Sequence, residues 1–164
     1  MFYSKISLES DLSKLLKIES FLDTVMQQFG VEDEFAGIVK IPLYECVENA
    51  IVHGNKCDKN KKVNVEVQLD KSKLLFSVTD EGQGFDYSSF LQKNLEQHKK
   101  NGLFKVKLLT DDLSFSKNGS QVSYKVNVPF SLPANNERIG VLQQSQKVAE
   151  NVYASLRAEW CNIE

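Results

Sequence analysis

Residues 45–55 read ECVENAIVHGN, and residues 79–86 read TDEGQGFD. Glu45, Asn49 and His53 recur at every fourth position, so a helix through them carries all three on one face. Val47, Ala50 and Ile51 fall on the opposite face and are apolar, which turns that side toward a core. A carboxylate and a carboxamide one turn apart are useful chemistry. The carboxamide oxygen is a hard ligand of the kind Mg²⁺ takes while keeping waters and phosphates. The carboxylate can orient or deprotonate an attacking hydroxyl or water. A solvated helix face ending in a stop has the same spacing, so this stretch alone leaves both readings open.

The second stretch directly follows the strand-like LLFSV of residues 74–78. Asp80 at a strand end can accept a hydrogen bond from an exocyclic amine, and Gly82 and Gly84 let backbone approach a flat ring. A plain turn is the simpler account of a lone G-x-G. The dinucleotide fingerprint is absent, because no third glycine and apolar helix start follow, and there is no GxxxxGK[ST].

Outward from these stretches the periodicity changes several times. Residues 2–8 suit a first edge strand. Ser10 is placed to cap a helix whose apolar positions are Leu12, Leu15, Leu16, Leu22, Val25, Met26 and Phe29, with Gly30 as its stop. A second helical pattern covers about 33–53, and Pro42 inside it predicts a kink or a restart. HGNKCDKNKK is a polar turn with solvated lysines. Val63, Val65, Val67 and Leu69 alternate with polar residues as a half-buried strand does, and residues 74–79 supply its neighbour. After a weakly patterned stretch at 87–101, a short helix is expected at 103–109. A hairpin then joins 113–116 to 121–130 across Lys117-Asn118-Gly119-Ser120, where Asn-Gly supplies positive-φ residues. Ile139, Leu142, Ala149, Val152, Leu156 and Trp160 space as an added C-terminal helix, packing on its own sheet or offering a partner surface. The order predicts an antiparallel sheet with helices on one face.

Composition narrows the function. The chain has 164 residues, 41% hydrophobic, with a formal net charge of −2, so it is an ordinary globular sequence without the basic excess of a nucleic-acid binder. No apolar run reaches membrane-spanning length, and the first residues lack a signal-peptide pattern. Three unpatterned cysteines, Cys46, Cys57 and Cys161, fit reduced thiols and a cytoplasmic location. Cys46 beside Glu45 reads as a packing residue, His98 as a solvated one, and the lysines of 99–107 as surface or as phosphate contacts.

Taken in order, E-x-x-x-N-x-x-x-H-G-N, a strand pair, D-x-G-x-G and then N-G-L-F before a final hairpin resembles the GHKL (Bergerat-fold) ATP-binding superfamily. Within it, the chain is similar to the bacterial anti-sigma factor serine/threonine kinases, over roughly residues 5–130. The resemblance implies a histidine-kinase-like ATPase fold: an α+β two-layer sandwich with a mixed, mainly antiparallel sheet and helices on one face. It divides the chain into an ATP-binding domain at 1–130 and a helical extension at 131–164. It implies ATP and Mg²⁺ as cofactors, Glu45 as the general base and Asn49 as the residue holding Mg²⁺. Asp80 would accept from the adenine amino group, and Gly82 and Gly84 would shape the pocket. Gly102 would present backbone N–H to phosphate, while His53 and Asn55 brace the site. Lys100 stands where such proteins carry the first glycine of G-x-G, and would bring a charge to the phosphates. The partners implied are a sigma factor and a STAS-type antagonist whose serine is phosphorylated, with no direct contact to nucleic acid or membrane. Such proteins are often dimers, so a homodimer is a further expectation. The alternative is a catalytically weak or inactive GHKL module that works by partner switching.

Overall fold

Strict alternation builds the sheet. Val63, Val65 and Val67 are fully buried while Asn64 and Glu66 between them are exposed, and Leu74, Phe76 and Val78 repeat the pattern on the next strand. The computed structural model describes residues 2–92 and 102–128. Within them lie β1 (Phe2–Glu9), α1 (Leu15–Phe29), α2 (Ala36–Asn49), β2 (Lys62–Asp70), β3 (Lys73–Thr79), α3 (Tyr87–Gln92), α4 (Gly102–Leu109), β4 (Asp111–Ser116) and β5 (Gln121–Asn127). The five strands form one sheet in the order β1-β2-β3-β5-β4, and every described pairing is antiparallel. β1 is an edge strand, as expected from residues 2–8.

One face of the sheet carries the helices. α1 buries Leu15, Ile18, Leu22, Val25, Met26 and Phe29, the three-and-four spacing of an amphipathic helix. Leu12 and Leu16, which fit the same spacing, are instead exposed. Gly30 ends α1 in the left-handed conformation at φ 61°, with its own N–H and that of Val31 closing on the last carbonyls. The cap at the other end is not Ser10. Asp11 caps the turn at Leu12–Lys14 by accepting from the Ser13 N–H, and Ser10 is fully buried with its Oγ donating to the Lys61 carbonyl at 3.0 Å.

α2 also departs from expectation. One helix runs from Ala36 to Asn49 through Pro42, with no restart there. Pro42 is buried in a helix packed against α1, α4, β3 and β5, and these contacts hold the helical path despite the missing N–H. The irregularity comes later, where residues Ala50–Gly54 form a π-turn. Asn55 N–H there reaches back to the Ala50 carbonyl at 2.8 Å. The β4–β5 connection turns at Asn118-Gly119 as expected, and Lys117 joins them at positive φ. The expected helix on 131–164, Trp160, His98 and Lys100 lie outside the described residues.

Candidate functional site

The inner end of α2 positions the acid and the amide. Because α4 lies across α2, Glu45 is not on a solvated face: its side chain is 6% exposed. Its Oε2 sits so close to the first residue of α4 that a Cβ added to Gly102 would lie 1.9 Å from it. That same Cβ would lie 3.5 Å from Asn49 Nδ2, so Gly102, Glu45 and Asn49 meet at one point. Asn49 Nδ2 is buried and, among the described residues, makes no hydrogen bond. A buried amide left unpartnered is costly unless a ligand completes it. The N-terminus of α4 brings the positive end of a helix dipole, which favours an anion beside it.

Lys105 completes this cluster. Its Nζ lies 2.9 Å from Glu45 Oε1, and its side chain is 22% exposed. The pairing joins residues sixty positions apart in sequence. Spacing along the chain gave no sign of it, beyond the inclusion of Lys105 among lysines that could meet phosphate.

A second cluster forms around Asp80. The Asp80 N–H donates to the Ser120 carbonyl at 2.9 Å, which fixes the residue where β3 ends. Its Oδ1 accepts from the Gly82 N–H at 2.7 Å. Burial raises the Asp80 carboxyl above its ordinary range, and the Gly82 N–H and the nearby Lys61 charge offset part of that rise. Gly54 closes over it: an added Cβ there would come within 2.4 Å of Asp80 Cγ. Gly82 in turn packs on the Gly54 carbonyl, 2.2 Å from its own missing Cβ. These contacts explain glycine at both positions, and the role of Gly54 was missed in the sequence although it stands in the quoted motif. Gly84 has φ +78° and faces the Asn118 carbonyl, so its glycine serves the β4–β5 turn, to which Phe85 N–H also bonds at 3.0 Å.

Asn55 ties the Asp80 loop to the sheet. It is fully buried; its Nδ2 donates to Ser10 Oγ at 2.7 Å and to the Lys62 carbonyl at 2.9 Å, and its Oδ1 accepts from Glu81 N–H at 2.8 Å. One side chain thus holds β1, β2 and the loop after Asp80 in register. His53 is exposed. It lies within the π-turn that follows Asn49. Cys46 is buried, and burial with the adjacent Glu45 charge pushes its thiol up, so it packs and does not attack.

A family model of the histidine kinase-like ATPase domain matches residues 8–125. The chain belongs to this family. Family membership implies ATP binding, and the geometry fits that ligand. An acceptor aspartate is framed by glycines whose Cβ positions are filled by neighbours, and an unpartnered amide faces a helix N-terminus. Among curated proteins the chain is similar to the anti-sigma F factor of Clostridium perfringens, in three strains, at 35% identity over 48 residues. That stretch is 29% of this chain and 34% of those proteins, so about a third of their length is matched. Among solved structures, the RsbU and RsbW domains of a Mycobacterium tuberculosis protein align at TM-score 0.56 and 18% identity, over 82% of this chain and 34% of that one. This second likeness is one of fold. In this histidine kinase-like ATPase domain, no helix among the described residues is long and apolar enough to cross a membrane.

Proposed function

We propose that this ATPase domain is an anti-sigma regulatory kinase, which binds ATP with Mg²⁺, holds a sigma factor, and phosphorylates a serine of a STAS-type antagonist. The observation that carries the reading is the meeting of Glu45, Asn49 and Gly102, residues from two helices far apart in sequence. The similarity to anti-sigma F factor supports the choice of partners. Asp80 would accept from the adenine amine, with Gly54 and Gly82 keeping the floor of the pocket free of side chains. Asn49, its amide turned to present oxygen, would hold Mg²⁺ against the phosphates, since this ion needs few protein ligands. The α4 N-terminus would receive phosphate oxygens.

In the reaction, Glu45 takes the proton of the serine hydroxyl as its oxygen bonds to the γ-phosphorus. The bond from that phosphorus to the β,γ-bridging oxygen breaks, and ADP leaves. The protein mainly positions groups and balances charge in such a transfer. One observation favours the second reading, a partner-switching module without turnover: Glu45 is held by Lys105 and covered by α4.

The two readings separate in one assay. The protein is incubated with γ-labelled ATP, Mg²⁺ and a STAS-type antagonist. The kinase reading expects label on a serine of the antagonist, lowered by about 100-fold or more in Glu45→Gln. ATP binding without any transfer selects the partner-switching module.

A further inference from the structure

We propose that Lys105 is a nucleotide-sensing latch: its ammonium, paired with the Glu45 carboxylate, exchanges that partner for the terminal phosphate of ATP and so releases the carboxylate. The proposal rests on reading this pocket as the ATP site. It concerns a residue that none of the site motifs contains.

Three features of the cluster support it. Glu45 is closed in on both oxygens, Oε1 by Lys105 and Oε2 by the backbone at Gly102, so no hydroxyl reaches it until something moves. Of the two partners, Lys105 is the one free to move. Its side chain is 22% exposed against 6% for Glu45, and a four-carbon stem lets its ammonium swing without disturbing the α2–α4 packing. Finally, Lys105 lies three residues after Gly102, so it shares a helix face with the N-terminus of α4 where a phosphate would sit. A terminal phosphate carries more negative charge than a carboxylate and competes for the same ammonium on Coulomb grounds.

The latch predicts a discrimination. ADP lacks the phosphate that draws Lys105 away, so it leaves the ion pair with Glu45 in place. A lysine that only cements α4 to α2 would affect both nucleotides alike.

The test is calorimetric titration of the full chain with MgATP and with MgADP. It compares wild type, Lys105→Met, Glu45→Gln and the double variant, each first shown to melt cooperatively. Lys105→Met is expected to weaken MgATP about tenfold and MgADP less than about twofold. Glu45→Gln, which leaves the ammonium unheld, is expected to tighten MgATP severalfold. In the Lys105→Met background the same change should do nothing. A Glu45→Gln gain that survives in the double variant reflects only the loss of a nearby negative charge and overturns the latch. Equal weakening of both nucleotides by Lys105→Met overturns it as well. If Lys105→Met does not fold, Lys105→Gln, which keeps a donor for Glu45, takes its place with the same expectations. Wild type that binds neither nucleotide refutes the pocket reading and the latch with it. Wild type that binds both, with Lys105→Met unchanged, refutes the latch alone.

Discussion

Replacing Asn55 by alanine removes three hydrogen bonds at once, to Ser10 Oγ, to the Lys62 carbonyl and from the Glu81 N–H. The residue is fully buried, so water does not readily take over these partners. At about 0.5–1.5 kcal/mol net for each bond, the expected loss is roughly 1.5–4.5 kcal/mol. In a chain of this size that lowers the melting temperature by about 3–18 °C. Urea unfolding checks it directly: the midpoint should fall while the m-value stays constant. Ser10→Ala serves as a companion. It removes two bonds, the one from Asn55 and the Ser10 Oγ bond to Lys61, while the Ser10 N–H still donates to that carbonyl at 3.1 Å, so it should cost about 1–3 kcal/mol. The double variant should lose less than the sum of the two single losses, since they share the Asn55–Ser10 bond. An Asn55→Ala loss under about 1 kcal/mol would refute the view that this side chain ties the sheet to the Asp80 loop.

Two other perturbations test the same pocket. Burial raises the Asp80 carboxyl above its ordinary value of 3.8, so the native protein holds this proton more tightly than the unfolded chain does. The stability it contributes is complete below that ordinary value and is lost as pH rises through the raised folded value. Asp80→Asn should therefore be more stable than wild type at neutral pH, with the gap closing in acid, as urea midpoints against pH would show. Gly54→Ala puts a methyl group 2.4 Å from Asp80 Cγ and should weaken MgATP at least about tenfold. Gly30→Ala is its control: the added Cβ meets nothing within 4 Å, so it should cost about 1 kcal/mol through the left-handed backbone and leave MgATP affinity unchanged in the same titration.

The parts of the fold legible in the sequence were those set by local periodicity. Val63, Val65 and Val67 alternate because one sheet face is buried, and Gly30 and Asn118-Gly119 mark positions that need positive φ. Local signals misled where tertiary contacts took over. Ser10 looks like a helix cap, but its hydroxyl is claimed by Lys61 and Asn55 across the fold. Pro42 looks like a break, yet it is buried in a helix that packs on α1, α4, β3 and β5 and runs on through it. The candidate site follows the same division. Glu45 and Asn49 lie one turn apart and stay together, and Asp80 sits at its strand end as read. His53 is exposed within a π-turn that no residue pattern announced. Gly54 against Asp80 and Lys105 against Glu45 are contacts across the chain, so only the topology brings them together.

Asp80, Asn49 and the start of α4 are proposed to bind ATP. A thermal-shift titration with MgATP on wild type and Asp80→Ala tests this most directly. At one hundred times its dissociation constant the ligand stabilises the protein by about 2.7 kcal/mol. That should raise the melting temperature by roughly 5–10 °C in wild type, and Asp80→Ala should abolish the shift. No shift in wild type at millimolar MgATP, or one that Asp80→Ala leaves intact, would contradict that proposal.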